Sequence, residues 1–523
     1  MTLEAPNTVS IQALQRRPKA IDEDIVIGKD VLELLTGAMY ADPLTVYREY
    51  VQNCADALDD SKDCGHDVSK GPQVSIWLDQ GNRTVRIRDI GIGVSNAEFV
   101  RRLTAIGASG KRGKSRRGFR GVGRLSGLGY CQELVFRSRS SNSEKVKELR
   151  WDSRALRSRL RDATYDGSLA DLVREVATVT LVADGSHYPD HFFEVEMVKV
   201  MRIRNDLLMN EDEIRRYLAE VAPVPFSPQF TLGGEIASWL AERGLYSPLH
   251  IELNDDKGPI FHRAVSELAP LRQAKIWFSG IEFVEIQNSG GELLAAGWLL
   301  EHEYSGAIPK ASRVGGVRLR CRGVQVGGDD ILAPLFVEPR FASWGVGDLH
   351  IVHPRIVPNG RRDEFEVSAA YGELQDELKA MAKRLTHTIR SKSDARRVGR
   401  RTALTFSQID EWLSLAKDKK LHETTRRVAI ARAAHTLKDA ERIARKVPVD
   451  GGLHTRIQLA EKSIARMCLL LTPPKRSGRP AAAVSKGAHA AVEAILTSTT
   501  QTKRSIAIAE QVLAALEGRT VRG

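Results

Sequence analysis

A polar stripe on one predicted helix constrains the fold of this chain more than any other feature. The segment YREYVQNCADALDD (47–60) follows Asp42 and Pro43, which are typical of an N-cap and a first helical turn. Four polar residues share one narrow face, spaced i, i+4, i+7 and i+11: Glu49, Asn53, Asp56 and Asp60. Apolar residues gather on the other side. Alone, this pattern is typical of an amphipathic helix with a solvated face. A functional role needs partners elsewhere in the chain.

A predicted β-hairpin supplies the first such partner. VSIWLD (74–79) and TVRIRD (84–89) alternate apolar and polar residues across a short turn. Asp89 ends the second strand, and Gly91 and Gly93 complete the pattern D-x-G-x-G. A carboxylate beside two glycines can meet a flat ligand, because glycine permits close approach of the backbone. A tight turn with an exposed Asp is the alternative.

A glycine-rich run is the third element. A helix is predicted to start at Ser95, with Glu98 completing a capping box. GFRGVG (118–123) then leads into a predicted helix from Arg124. Successive backbone N–H groups at such a start can bind phosphate. The Walker pattern G-x-x-x-x-G-K-[ST] is absent from the sequence.

In this order, E-x-x-x-N-x-x-D-A, D-x-G-x-G and a glycine-rich lid resemble the GHKL superfamily of gyrase, heat-shock chaperone, histidine kinase and mismatch-repair ATPases. The resemblance covers roughly residues 25–225, and REYVQNCADALD and TAIGASGK are most similar to the 90-kDa heat-shock chaperone family. It implies an α+β chain: an N-terminal Bergerat-type α/β sandwich that binds ATP, an α/β middle transducer domain and an all-α C-terminal region. It also implies Mg²⁺-dependent ATP hydrolysis.

The resemblance assigns roles to individual positions. Glu49 would be the general base for the attacking water, Asn53 would hold Mg²⁺ and phosphate oxygens, and Asp89 would receive the adenine amino group. The remaining nucleotide-contacting positions are Asp56, Gly91, Gly93, Ser109, Gly118, Gly121, Val122 and Gly123. Phosphoryl transfer needs positioning, a metal and charge neutralisation rather than covalent catalysis. The chain departs from the chaperone pattern at Ala108, where a lysine is usual, and its lid is unusually rich in arginine.

A second predicted α/β segment contributes one more candidate group. Alternating strands are predicted between about 245 and 365, ending in PNGRRDEFE (358–366). This run resembles the chaperone middle-domain motif whose arginine reaches the γ-phosphate. Arg362 is the candidate and Arg361 the second, since a guanidinium can stabilise charge on the transferred group. An exposed basic loop is the alternative.

Composition suggests the domain organisation and the compartment. The predicted parts are an arm (1–24), the ATP-binding domain (25–235), the middle domain (236–366), a helical domain (367–472), a basic linker (473–487) and C-terminal helices (488–523). Five scattered cysteines without a CxxC pair indicate reduced thiols, with neither a disulfide framework nor a zinc site. No secretory signal and no apolar run near the ~20 residues of a membrane span are present. We therefore expect a cytoplasmic protein without a membrane partner.

The charge distribution leaves two functional hypotheses open. From Glu366 onward there are 30 Lys and Arg against 16 Asp and Glu, a net +14, which leaves −2 for the rest of the total +12. The first hypothesis is a homodimeric, chaperone-like clamp whose ATP-driven lid closure acts on protein clients. The second is a nucleic-acid-associated ATPase, similar to mismatch-repair or microrchidia proteins, with genome defence as one setting, because a basic tail attracts DNA.

Overall fold

The computed structural model describes residues 42–68, 71–105, 123–141, 143–254, 257–268, 275–445 and 451–471. The predicted N-terminal arm, basic linker and C-terminal helices lie outside these ranges. Contacts divide the chain into two units, Met1–Arg384 and Leu385–Gly523, which we describe separately. Within the described ranges, no helix combines the length and the apolar character needed to cross a membrane.

The first unit contains a seven-stranded mixed sheet, counted over the described residues, in the order β5-β4-β3-β6-β2-β1-β7. Its strands are β1 Val74–Asp79, β2 Thr84–Asp89, β3 Glu133–Arg139, β4 Lys147–Asp152, β5 Ala177–Leu181, β6 Phe192–Val198 and β7 Ile251–Leu253. The helices of this part are α1 Thr45–Asp63, α2 Phe99–Thr104, α3 Ser153–Arg161, α4 Leu169–Val176, α5 Glu211–Val221 and α6 Gly233–Glu242. A 3₁₀ helix, Gly123–Gly129, precedes β3.

One continuous apolar core lies between this sheet and its helices. Alternate residues of the hairpin point inward, so that Val74, Ile76, Val85 and Ile87 are all buried. Tyr47 of α1 belongs to the same core. The predicted hairpin is confirmed with its bounds, because β1 and β2 pair antiparallel from Val74↔Asp89 to Asp79↔Thr84.

A second sheet of five strands, again within the described residues, has the order β10-β11-β14-β12-β13. Its members are β10 Gly280–Gln287, β11 Leu293–Glu301, β12 Gly316–Cys321, β13 Val324–Val326 and β14 Val346–Ile351. A small two-stranded sheet pairs β8 Glu267–Leu268 with β9 Ile276–Trp277. After β14 the chain makes a tight loop closed by a bridge between Pro358 and Phe365. We call residues 358–365 the arginine loop.

The second unit is helical. Helix α7 spans Ala369–Lys417, and its residues up to Arg384 belong to the first unit. Helices α8 Glu423–Ala444 and α9 Gly451–Leu471 follow it. Phe406, Ile409, Ala433 and Ile464 belong to the core that these helices share. Earlier in α7, the predicted packing positions Leu374, Leu378, Met381 and Leu385 are all buried. The mixed fold with a helical C-terminal region agrees with the prediction.

Three local predictions differ from the structure. Helix α1 begins at Thr45, because Asp42 Oδ1 accepts from the Leu44 N–H at 3.0 Å and caps the preceding turn instead. Helix α2 begins at Phe99 without a side-chain cap, and the turn before it is closed by backbone bonds from the Glu98 and Phe99 N–H groups to the Ser95 carbonyl, at 3.1 and 2.9 Å. The predicted helix from Arg124 is a 3₁₀ helix that starts one residue earlier.

The predicted boundary at residue 235 does not separate the two sheets. Strand β7 pairs in parallel with β1 and so belongs to the first sheet, although it lies beyond that boundary. The proline-rich segment expected to mark the boundary is tied in on both sides: the Leu249 N–H donates to Pro223 O at 2.7 Å and the His262 N–H to Pro225 O at 2.8 Å. Such long-range strand pairing leaves no local signal in the sequence.

Candidate functional site

The polar stripe of α1 is not a solvated face. Glu49 is 8% exposed and Asp56 3% exposed, while Asn53 between them is half-buried. The apolar side of the same helix is buried in the core, as its spacing predicts. Burying two carboxylates without hydrogen-bond or ionic partners is energetically costly. The role of the stripe therefore depends on the groups that surround Glu49 and Asp56.

Two tyrosines fix the position of α1. The Tyr47 hydroxyl donates to the Leu208 carbonyl at 2.5 Å. The Tyr50 hydroxyl accepts from the Gly127 N–H at 2.9 Å, and a Cβ at Gly127 would lie 2.4 Å from that oxygen. Helix α1 is thus held directly against the 3₁₀ helix.

Gly123, the last glycine of the G-x-x-G-x-G run, lies against Glu49. A Cβ at this position would come within 2.2 Å of Glu49 Oε2, so no other residue fits without displacing the carboxylate. Glu49 therefore lies where the glycine-rich segment ends. The other candidates in that segment, Ser109, Gly118, Gly121 and Val122, lie outside the described residues.

Asp89 is a buried carboxylate with few partners. It is 1% exposed, and its Oδ1 accepts from the Gly91 N–H at 2.9 Å. Oδ2 has no hydrogen-bond partner of ordinary geometry among the described residues, although the weakly donating Cys54 thiol lies beside the carboxylate. Burial raises the pKa of Asp89 to about 7 despite the Gly91 contact. The group retains an unused acceptor.

The glycines after Asp89 have different constraints. A Cβ at Gly91 would lie 2.8 Å from Asp89 Oδ1, so this residue is tied to the carboxylate. Gly93 has a φ of 70°, and a Cβ there would lie 2.0 Å from the Arg139 carbonyl oxygen. Glycine is thus required at position 93 because the turn passes close to the backbone at the end of β3. The sequence predicted a different reason, namely that glycine lets the base of a ligand approach.

Two neighbouring arginines of the arginine loop face opposite surroundings. Arg362 is 5% exposed and Arg361 is exposed. The loop places Arg362 at a φ of 57°, where its N–H donates to Asn359 O at 3.2 Å and its carbonyl accepts from the Gly327 N–H at 2.8 Å. Burial lowers the pKa of Arg362, while the negative charge of Glu49 opposes that shift. The buried arginine therefore belongs to the surroundings of Glu49.

Arg48 contacts both Glu49 and the arginine loop, and no pattern in the sequence predicts this role. Its Nη2 donates to Glu49 Oε1 at 3.2 Å and to the Arg361 carbonyl at 3.0 Å. Arg48 is only 8% exposed. Adjacent residues of a helix do not normally face each other, so spacing gives no signal for this contact. One guanidinium thus links the candidate base to the backbone of the arginine loop.

The described residues fit a purine nucleotide. The unused Oδ2 of Asp89 can accept from an exocyclic amine. Among the described residues no group of three His, Cys, Asp or Glu could hold a metal ion by itself. Magnesium at phosphoryl-transfer sites typically takes one or two protein ligands besides phosphate oxygens and water. The half-buried Asn53 amide, between Glu49 and Asp56 on one helix face, suits that limited role.

Comparison with known proteins supports the same interpretation. Residues 43–176 match the family described as "Histidine kinase-, DNA gyrase B-, and HSP90-like ATPase". This range contains α1, the hairpin and the glycine-rich segment.

Among curated relatives, the chaperone protein HtpG of Coxiella burnetii (strain RSA 493) is 28% identical over 143 residues, covering 24% of this chain and 23% of HtpG. HtpG of Acinetobacter baylyi is 28% identical over 141 residues, covering 24% and 22%. HtpG of Chlorobaculum tepidum is 32% identical over 91 residues, covering 16% and 14%. The aligned part thus spans less than a quarter of each relative. Residues 43–176 therefore form an ATPase domain of the GHKL type, and this part of the chain is similar to the 90-kDa heat-shock chaperones.

Proposed function

We propose that this protein binds ATP and hydrolyses it to ADP and phosphate, with Glu49 as the general base. The observation that carries the proposal is the convergence of Glu49, Arg48 and Arg362, which come from two regions of the first unit. A base that addresses water and a buried cation that stabilises transferring charge are the two groups that phosphoryl transfer requires from a protein.

The other candidates take supporting positions. Asp89 accepts the adenine amine through Oδ2, the acceptor that its own turn leaves unused. Asn53 would hold Mg²⁺ and phosphate oxygens, and Asp56 would support it from the next turn of α1. Mg²⁺, when bound with the nucleotide, neutralises phosphate charge. Gly123 lets the glycine-rich segment approach Glu49.

Arg362 rather than Arg361 is the arginine that acts on the nucleotide. Its side chain is buried with Glu49 among its charged neighbours, whereas Arg361 offers its carbonyl to Arg48 and exposes its side chain. A buried guanidinium gains more from a developing negative charge than an exposed one, because water screens it less. Arg48 positions Glu49 beside the loop.

The activity of the whole protein is a further part of the proposal. By similarity to HtpG, described as a chaperone protein, nucleotide-driven closure of the glycine-rich lid would clamp a homodimer on protein clients. A nucleic-acid-associated ATPase is the second candidate, favoured by the exposed basic residues of α7. Suppression of client aggregation by the intact protein, lost when hydrolysis is lost, would support the first candidate over the second.

Hydrolysis by the Glu49→Ala protein tests the central step. We expect turnover in a phosphate-release assay to fall by about 10²–10⁴ while ATP binding measured by calorimetry remains, because the base is lost and the adenine contact is kept. Asp63→Ala is the matched control, since Asp63 is an exposed carboxylate on the last turn of α1. Wild-type turnover in the Glu49 variant would remove Glu49 from the mechanism.

A further inference from the structure

Part of α7 is a helix without a buried side. From residue 390 to residue 404 no residue is buried, although Ile389 before this segment is 0% exposed and Thr405 after it is 8% exposed. We call residues 390–404 the basic segment. Most helical stability in proteins comes from packing an apolar face. The composition of the basic segment therefore does not serve the core.

The basic segment carries a high density of positive charge. Its cations are Arg390, Lys392, Arg396, Arg397, Arg400 and Arg401. Asp394 is its only carboxylate in the sequence, so the net charge is +5 over these 15 residues. Asp394 pairs with Arg397 at 3.1 Å, and the Arg397 side chain is still 75% exposed. Four of the six cations are exposed to solvent: Arg390, Arg397, Arg400 and Arg401.

The cations form two rows along the helix. At about 100° per residue, Arg390, Arg397 and Arg401 lie within about 20° of one line. Lys392, Arg396 and Arg400 lie on a second row, about 80–160° around the axis from the first. At about 1.5 Å per residue, the segment from Arg390 to Arg401 is about 16 Å long. The two rows flank one strip of helix surface.

Two rows of cations on one helix match a double helix. An α-helix with its side chains is about 10–12 Å across, and the major groove of B-DNA is about 12 Å wide. A helix lying in that groove has a phosphate backbone on each side, so two rows can each meet one strand. A single strand would engage one row only. The basic segment has no Asn or Gln, the usual readers of adenine. Its arginines can contact either guanine or phosphate, and their arrangement in two rows, one beside each strand, favours contacts to the phosphate backbone.

The side opposite the cations argues against a membrane surface. Its residues are small: Ser391, Ala395, Val398, Gly399 and Thr402. Helices that lie in a membrane interface bury bulky apolar residues on that face. Here the face has nothing larger than valine.

We propose that the basic segment binds the phosphate backbone of double-helical nucleic acid without sequence preference. This surface lies in the second unit and uses none of the residues assigned to ATP hydrolysis. It would supply the partner of the second functional candidate, and it stands or falls independently of the ATPase mechanism.

Fluorescence anisotropy with the full chain and a labelled DNA duplex of about 20 base pairs tests the proposal. We expect saturable binding to two unrelated duplexes with equal affinity and a strong dependence on salt. The variant R396Q/R397Q/R400Q/R401Q should bind about tenfold or more weakly at 100 mM salt. Its slope of log affinity against log salt should be smaller by about 3–4, from ~0.9 per lost phosphate contact. Replacing the same four arginines by lysine should retain the binding.

The matched control removes the same charge from the first unit. It neutralises four exposed arginines: R101Q/R154Q/R161Q/R174Q. This protein should bind the duplex like the wild type. Equal losses in the two variants, no binding by the wild type, tighter binding of a single strand than of the duplex, or equal binding of phosphatidylserine vesicles would each overturn the proposal. Circular dichroism and ATP turnover of the basic-segment variant should match the wild type, which separates this outcome from a failure of the ATPase assignment.

Discussion

Two buried aspartates of the first unit, Asp89 and Asp348, have opposite electrostatic surroundings. They are 1% and 2% exposed, yet burial raises the pKa of Asp89 to about 7, whereas the pKa of Asp348 is held well below its usual value. Desolvation acts on both in the same direction. The difference must therefore come from their partners.

Asp348 is surrounded by donors. Arg263 donates to Oδ1 at 2.7 Å, and Arg320 Nε donates to Oδ2 at 2.6 Å. His262 Nδ1 accepts from the Ala264 N–H, and burial lowers the pKa of His262 to about 4, so the ring is neutral with its proton on Nε2. That proton is donated to Asp348 Oδ2 at 2.8 Å.

The same cluster links the second sheet to α5. Arg320 Nη2 donates to the Glu220 carbonyl at 2.7 Å, and Arg313 pairs with Glu213 at 2.6 Å. Both carboxylate oxygens of Asp348 thus accept hydrogen bonds within an ionic network that joins two parts of the first unit. Asp89 Oδ2, in contrast, has no hydrogen-bond partner of ordinary geometry among the described residues, and only the weakly donating Cys54 thiol lies beside it. Aspartate thus has two roles in this protein: Asp348 stabilises the fold, and Asp89 is the residue that we propose binds a ligand.

The largest effect is expected on stability, when the hydrogen-bonded carboxylate of Asp348 is removed. We expect Asp348→Asn to lower the free energy of unfolding by about 3–5 kcal/mol, because Arg263 and Arg320 remain buried without their counter-ion. Urea denaturation followed by circular dichroism measures this. Asp330→Asn, at an exposed position after β13, is the control and should change stability by less than about 0.5 kcal/mol. Equal stabilities of the two variants would mean that the network is not structural.

The next effect concerns Arg362, the side chain that we propose acts on the nucleotide. Arg362→Ala should slow ATP hydrolysis by about 10²–10³, by comparison with single charged donors at other transition states. Arg361→Ala should remain close to the wild type, because Arg48 contacts the carbonyl of residue 361, which alanine retains. Single-turnover kinetics of the two full-length variants decide between them. Equal rates would remove Arg362 from the mechanism and leave it a structural residue.

A smaller effect, on ATP affinity, is expected when the carboxylate of Asp89 is replaced. Asp89→Asn can turn a donor toward the adenine amine, so ATP affinity should fall about tenfold or more, from roughly 1.5–3 kcal/mol for a charge-assisted contact. Calorimetry with ATP measures this. In contrast to Asp348→Asn, this change should not lower the stability of the ligand-free protein, since it removes a poorly solvated carboxylate. Wild-type affinity would show that the adenine pocket lies elsewhere.

The smallest expected effect is a change in folding stability with pH, whose direction follows from the two pKa shifts. Because the pKa of Asp89 is raised from 3.8 to about 7, the folded protein binds more protons than the unfolded chain between these values. Its contribution to stability should therefore fall as the pH rises from about 4 to 7. For Asp348, whose pKa is lowered, stability should instead be lost as the pH falls below about 3.8. Denaturation at a series of pH values should show the first slope in the wild type and a weaker one in Asp89→Asn.

Local patterns of residues are enough to predict several elements of this protein. Alternation of apolar residues predicts β1 and β2 with the bounds that the structure has, because facing the core is a property of each strand alone. The order of the helix stripe, the D-x-G-x-G turn and the glycine-rich run identified the superfamily. The packing positions of α7 followed from helical periodicity in the same way.

The contacts between residues that are distant in the sequence are known only from the tertiary structure. It buries Arg362 and exposes Arg361, a difference in environment that two adjacent arginines in a sequence do not reveal. It brings Arg48 between Glu49 and the arginine loop, and it adds β7 to the first sheet across the expected domain boundary. It also assigns opposite protonation behaviour to Asp89 and Asp348. Each of these outcomes depends on contacts between segments far apart in the chain, and the electrostatic energy of a side chain is set by such neighbours and by burial, neither of which is encoded in local spacing.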